Sequence, residues 1–220
     1  MYGLQQMHMD LPTILGTFPK HVVLRLDPTV FPAYTPRSDI DLLLERHGLE
    51  AAVQAVQAAV PPGMHVDVHT LRAGQHLHVD LMEASGLHFR FDLYTALPYM
   101  QFTLHPEVYD QVLTHREWRN GAWVPCCADD LALRYAEYVE YADTRPDKIK
   151  HRQYTETHGA DVNFYRVQKG DQDCLLGYRL GAPERFAIIL WGHGLAHLCD
   201  TLELLHQHVK ACQVLHVRKV

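Results

Sequence analysis

Basic residues are in short supply: 20 Lys and Arg stand against 26 Asp and Glu, for a formal net charge of −6 and a pI near 6.3. A protein whose affinity lies in the phosphate backbone needs a dense basic surface, so stable binding to nucleic acid is not expected. Cysteine is also sparse. Five are present, two of them adjacent at Cys126 and Cys127, with neither the even spacing of a disulfide framework nor a Cys-x-x-Cys pair for structural zinc. That usage suits a reducing compartment. No run of about 18 apolar residues occurs, and residues 1–12 have neither a basic n-region nor an apolar h-region. The expectation is a soluble, cytoplasmic protein with no membrane contact. Repeats and low-complexity tracts are missing too, and 220 residues at 47% apolar can build one sizeable core with a smaller appendage.

Histidine is the residue in excess, at 17. His65, His69, His76, His78 and His88 crowd one third of the chain and invite a metal-storage reading, which would bind zinc in stoichiometric excess. No helical His-x-x-x-His with a nearby glutamate occurs there, and alternating strand residues usually point into solvent, so these side chains are expected at the surface. His193 and His197 have i, i+4 spacing but lack the glutamate of a zinc-protease helix.

Along the chain, residues 21–26 read as a short buried strand. A loop with Pro28, Pro32 and Pro36 leads to a strand over 39–44, and a helix over 48–60 ends at Pro61-Pro62-Gly63. Three period-two segments follow, at 64–71, 75–83 and 87–94, and form a meander. A three-residue turn at Ala84-Ser85-Gly86 would set Asp80 opposite Arg90 and His78 opposite Asp92 on one polar face. Leu77, Val79, Leu81, Phe89, Phe91 and Leu93 then line the other. Asp129-Asp130 caps a helix to about Tyr141, and Lys148 to Arg152 is the most basic run. A last unit reads as strand 186–190, a Gly192-His193-Gly194 turn, helix 195–209 and strand 212–217. The expected divisions are a core at 1–100, a mainly helical region at 101–170 and a β-α-β appendage at 171–220.

The candidate chemistry lies in Ser38-Asp39-Ile40-Asp41-Leu42. Aspartates at i and i+2 on a strand share a face with α-carbons roughly 7 Å apart, so their carboxylates can converge on metal ions about 4 Å from each other. Asp92, set between Phe91 and Leu93, is a third acid in an apolar strand where an unpaired carboxylate is costly.

This arrangement resembles the nucleotidyltransferase superfamily, the polymerase-beta-like fold: a strand, an Asp-x-Asp strand, a helix, and a third acid on a later strand, matched over about residues 21 to 94. More narrowly, these segments, with Asp130-Leu131-Ala132-Leu133-Arg134-Tyr135 and Asp147-Lys148-Ile149-Lys150-His151, resemble nucleotidyltransferase-like proteins of bacterial surface-polysaccharide loci. The resemblance implies an α+β fold whose mixed, largely antiparallel sheet carries flanking helices. It implies that Asp39 and Asp41 bind Mg²⁺ (or Mn²⁺) on the phosphates of a nucleoside triphosphate. Asp92 would be the third ligand, or the base that takes a proton from a small acceptor such as a sugar or polyol phosphate. Asp80 is the next candidate, although Arg90 opposite it offers a plain ion pair.

The superfamily's Gly-Ser phosphate grip is replaced here by Leu24-Arg25-Leu26. Arg25, Arg37, Lys148 and Lys150, with Ser38, are the groups that would hold the triphosphate instead. The departure keeps open a second reading, a catalytically silent fold that binds a nucleotide or a protein. The Gly192-x-Gly194 turn could present backbone N–H groups to an anion but reads better as packing. A chain ending on a strand at Val220 fits either a homodimer edge or a longer protein.

Overall fold

The computed structural model describes residues 9–27, 30–97, 103–104, 106–141, 144–158, 162–169, 172–179 and 188–191. They form a mixed α+β protein dividing into two units, residues 1–97 with 109–126, and residues 98–108 with 127–220. The first unit is a five-stranded, mostly antiparallel sheet flanked by helices, in the order β1-β2-β5-β4-β3.

The first unit begins with α1 (Leu11–Gly16), which the sequence reading did not anticipate. Asp10 caps it, its carboxylate accepting from the Thr13 amide at 3.3 Å and the Thr13 hydroxyl at 2.6 Å, which satisfies donors that helix starts leave open. β1 covers only His21–Val23, shorter than expected, because Leu24 and Arg25 turn the chain and Arg25 takes a left-handed φ of 55°. β2 (Ser38–Leu44) returns antiparallel to β1, and α2 (Leu49–Ala58) follows. Gly48 starts that helix where an added Cβ would come within 3.0 Å of the Pro19 side chain.

The meander forms as β3 (His65–Arg72), β4 (His76–Glu83) and β5 (Gly86–Tyr94). Its register sets Asp80 opposite Arg90 and His78 opposite Asp92. The route to that register differs from the expected one. Gly86 pairs with Glu83, so the turn holds only Ala84 and Ser85, and an irregularity between Leu81 and Met82 supplies the extra residue on β5. A bulge of this kind puts two residues opposite one. His88 lies at it, buried, with its Nε2 3.1 Å from the Tyr34 hydroxyl.

The core occupies one face of this sheet. Ile40, Leu42, Leu44, Val79, Leu81, Phe89, Phe91 and Leu93 pack there with Leu11, Ile14 and Leu15 of α1 and Ala52 and Val56 of α2. Each such large side chain contributes about 1.5–3 kcal/mol by leaving water, and together they fix which residues of β2, β4 and β5 must face the other way.

The first unit also takes in part of α3 (Pro106–Thr114) and the hairpin of β7 (Glu117–Arg119) and β8 (Ala122–Val124). Asn120 and Gly121 turn that hairpin with φ of 50° and 87°, the left-handed pair that a two-residue turn demands.

The second unit contains α4 (Cys127–Tyr141), a 3₁₀ turn at Pro146–Lys148 and α5 (Ile149–His158). Its sheet has the order β11-β10-β9-β6, with β6 Thr103–Leu104, β9 Val162–Lys169, β10 Gln172–Arg179 and β11 Ile188–Trp191. β9 thus falls in the stretch expected to be mainly helical. Asp129 and Asp130 lie in the first turn of α4 rather than before it. The expected turn at 192–194, helix at 195–209 and strand at 212–217 lie outside the described residues. Among the described residues, no helix is long and apolar enough to cross a membrane.

Candidate functional site

The face of the first sheet opposite the core gathers the candidate site residues. β2 and β5 run parallel, with Asp39 beside Arg90 and Asp41 beside Asp92. The next strand, β4, brings His78 beside Asp92 and Asp80 beside Arg90. Because side chains alternate along a strand, packing Ile40, Leu42, Phe91 and Leu93 inward forces Asp39, Asp41, Arg90 and Asp92 outward together.

Asp41 has a definite partner. The Arg25 guanidinium lies 2.6 Å from its carboxylate, both side chains about one-fifth exposed. The turn after β1 makes this reach possible, with the Leu24 amide donating to the Asp41 carbonyl at 2.8 Å. Burial pushes the Asp41 carboxyl above its ordinary pKa; Arg25 opposes that shift, and Asp92 and Asp39 add to it by repulsion. The Tyr94 hydroxyl donates to Asp41 at 3.5 Å, and burial, reinforced by the charges of Asp41 and Asp92, pushes its pKa well up. This phenol stays protonated.

Asp92 is buried, and its Oδ1 accepts from His76 Nε2 at 2.5 Å with His78 Nε2 3.3 Å away. The His76 ring stacks on Tyr94 with centroids 4.1 Å apart. The His78 pKa is held below the usual histidine value, chiefly by burial, with Asp92 pulling the other way. These two histidines are therefore sheltered rather than solvent-facing, at 12% and 19% side-chain exposure. His65 and His69 on β3, at 66% and 56%, do face solvent. The signal that singles out His76 and His78 was their in-phase spacing opposite Asp92.

Asp80 is the ion pair that its position suggested: Arg90 Nε and Nη2 donate to its two oxygens, each at 2.7 Å. That fork holds the Asp80 carboxyl below its usual pKa. Both oxygens are engaged. Asp39 is exposed on the same face. The remaining anion candidates fall in both units. Ser38 donates its hydroxyl to the Thr35 carbonyl at 2.6 Å, and exposed Arg37, at a φ of 68°, donates its amide to the His88 carbonyl at 2.7 Å. Lys148 and Lys150 belong to the second unit, where Lys148 pairs with Glu137 at 2.5 Å.

Within this face, the donor atoms that converge to within 4.8 Å of one another are those of His76, His78 and Asp92. Asp39 and Asp41 stand beside that group on the neighbouring strand. Asp39, Asp41 and Asp92 put three carboxylates on one face, and although burial is the main cause of the upward shift at Asp41, Asp92 and Asp39 add a repulsion that a divalent cation would relieve.

The sequence matches no protein-family model and no curated protein. Among solved structures, it is similar to JHP933 from Helicobacter pylori at 10% identity and a TM-score of 0.41, covering 68% of this chain. The chain spans 65% of that protein's length.

Proposed function

We propose that the protein is a metal-dependent nucleotidyltransferase, moving a nucleoside monophosphate from a nucleoside triphosphate to a small hydroxyl-bearing acceptor such as a sugar or polyol phosphate. The observation that supports this reading is the parallel pairing of β2 with β5, which sets Asp41 directly beside Asp92 with Asp39 two residues away on the same face. Asp39, Asp41 and Asp92 would hold Mg²⁺ or Mn²⁺. Such ions stabilise the charge that develops on the entering and leaving oxygens of an in-line displacement.

The chain's own groups have separable tasks. Arg25 is in contact with Asp41 at 2.6 Å, and its planar fork suits a phosphate as well as a carboxylate. Leaving Asp41 for the triphosphate, it would expose the carboxylate and grip the nucleotide in one movement. Asp92, hydrogen-bonded by His76, would serve either as the third metal ligand or as the base that takes the acceptor proton at its carboxylate.

A second reading is favoured by the same Arg25–Asp41 pair: if the guanidinium stays there, it occupies a cation position and leaves a nucleotide- or protein-binding fold without turnover. Magnesium-dependent pyrophosphate release separates the two. Release with one of the four common triphosphates and a sugar- or polyol-phosphate acceptor supports the enzyme. Nucleotide binding by calorimetry with no release from any of them overturns it.

A further inference from the structure

We propose that His76, His78 and Asp92 form a site for one divalent first-row transition ion of the zinc or cobalt type. Nucleotide chemistry is not required for this inference, which stands on the β4–β5 pair alone.

His76 and His78 are two residues apart on β4 and so share a face, and β5 brings Asp92 directly opposite His78. His76 pairs with Tyr94, whose ring stacks on the imidazole at 4.1 Å and 22° and so fixes its orientation. The two imidazoles meet edge to face at 5.2 Å. Both present Nε2 to the same carboxylate oxygen, at 2.5 Å and 3.3 Å.

Those spacings are close to a metal polyhedron. Bonds of about 2.0–2.1 Å in a tetrahedron hold neighbouring ligand atoms about 3.3 Å apart. The His78–Asp92 edge already has that length. The His76–Asp92 edge is shorter, as expected where a proton rather than an ion bridges the pair, and needs to open by less than about 1 Å. The pleat supplies this freedom through the side-chain torsions of two long-reaching rings.

The donor set selects the ion. Two imidazoles and a carboxylate suit zinc, cobalt, nickel or iron, whereas magnesium and calcium prefer oxygen alone. Three protein donors leave a position for water or a substrate oxygen, the pattern of catalytic rather than structural zinc. With side-chain exposures of 12%, 19% and 11%, the group is sheltered yet reachable.

The neighbouring histidines show why the site forms here and not one strand further out. His69 on β3 approaches Asp80 at 3.8 Å, but both Asp80 oxygens are committed to Arg90. His65 approaches Asp67 at 3.8 Å with both side chains well exposed. Among the described residues of this sheet, Asp92 is the acid with two sheltered imidazoles on one oxygen.

The test is a titration of chelator-stripped full-length protein with Co²⁺, read by visible absorption, followed by displacement with Zn²⁺ and counting of bound metal. One tight ion per chain is expected. His76→Gln and His78→Gln, made separately so that one folded variant suffices, should each weaken binding by more than tenfold, since even supporting groups around a metal are worth about 10- to 100-fold. A His65→Gln, His69→Gln double variant should bind as the wild type does. No binding, several equivalent ions, or equal affinity in folded His76→Gln or His78→Gln would overturn the site. That failure would leave magnesium-dependent pyrophosphate release untouched, so the two proposals fail separately.

Discussion

Asp41 on β2 and Asp92 on β5 are direct neighbours across a parallel pair, yet each is held by different chemistry. Asp41 is countered by a permanently charged guanidinium and Asp92 by two titratable imidazoles. On the proposed reading, Asp41 would be released when Arg25 moves to a phosphate, while Asp92 would keep its contacts with the imidazoles of β4.

Neutralising Asp41 or Asp39 separates catalysis from folding. Asp41→Asn and Asp39→Asn should each remove pyrophosphate release to background while shifting unfolding free energy by no more than about 1 kcal/mol, because Asp39 is exposed and burial already disfavours the charged form of Asp41. Removing one of several clustered acids also relieves repulsion. Turnover assays with urea denaturation check both halves. Retained turnover in both variants would remove these acids from the mechanism.

Arg25→Gly makes an opposite trade. Glycine adopts the left-handed φ of 55° without the roughly 1 kcal/mol penalty of a side chain, so stability should stay within about 1 kcal/mol of wild type. Triphosphate affinity, measured by calorimetry, should fall at least tenfold if Arg25 supplies the grip. Unchanged affinity would assign that role elsewhere.

Asp80 should behave as a structural acid. Arg90→Met leaves a carboxylate with 6% side-chain exposure facing no guanidinium, and should cost about 2 kcal/mol or more. Adding Asp80→Leu should recover part of that loss, giving a coupling energy in a double-mutant cycle of denaturation midpoints. Additive losses would mean that the fork contributes nothing.

His21 gives the first unit a pH dependence. Its ring is buried, Nδ1–H donates to the Pro19 carbonyl at 2.8 Å, and Phe18 and Arg116 lie against it or its backbone. Burial holds its folded pKa below the ordinary value, and the charge of Arg116 adds to that shift. The unfolded chain therefore binds the proton more readily, so stability is complete above about pH 6.5 and declines as pH falls through that value. Denaturation midpoints between pH 7.5 and 5.5 should fall more steeply for wild type than for His21→Gln. Parallel curves would contradict this.

What was legible in the sequence follows from period two. Alternation from 75 to 94 places six apolar residues on one face and the acid–histidine group on the other, and the β4–β5 register sets Asp80 against Arg90 as those residues suggest. The sheltering of His76 and His78 is not legible in the sequence, because alternation says which face a residue takes, not how much of that face is covered. Helix α1, at six residues, is too short for a helical period to declare itself. The Asn120-Gly121 turn was written plainly in the chain, but the strands on either side are only three residues each. The left-handed Arg25 has no sequence signature, since arginine rarely occupies that region. Its contact with Asp41 emerges only once β1 ends early.

A crystal of the full chain grown with Mn²⁺ and a non-hydrolysable nucleoside triphosphate tests the metal-dependent transfer most directly. Anomalous manganese signal is expected at the carboxylates of Asp41 and Asp92, with the triphosphate beside it and the Arg25 guanidinium moved from Asp41 onto a phosphate. A structure with no triphosphate on this face, Arg25 still paired to Asp41, and manganese either absent or confined to His76, His78 and Asp92 would contradict it.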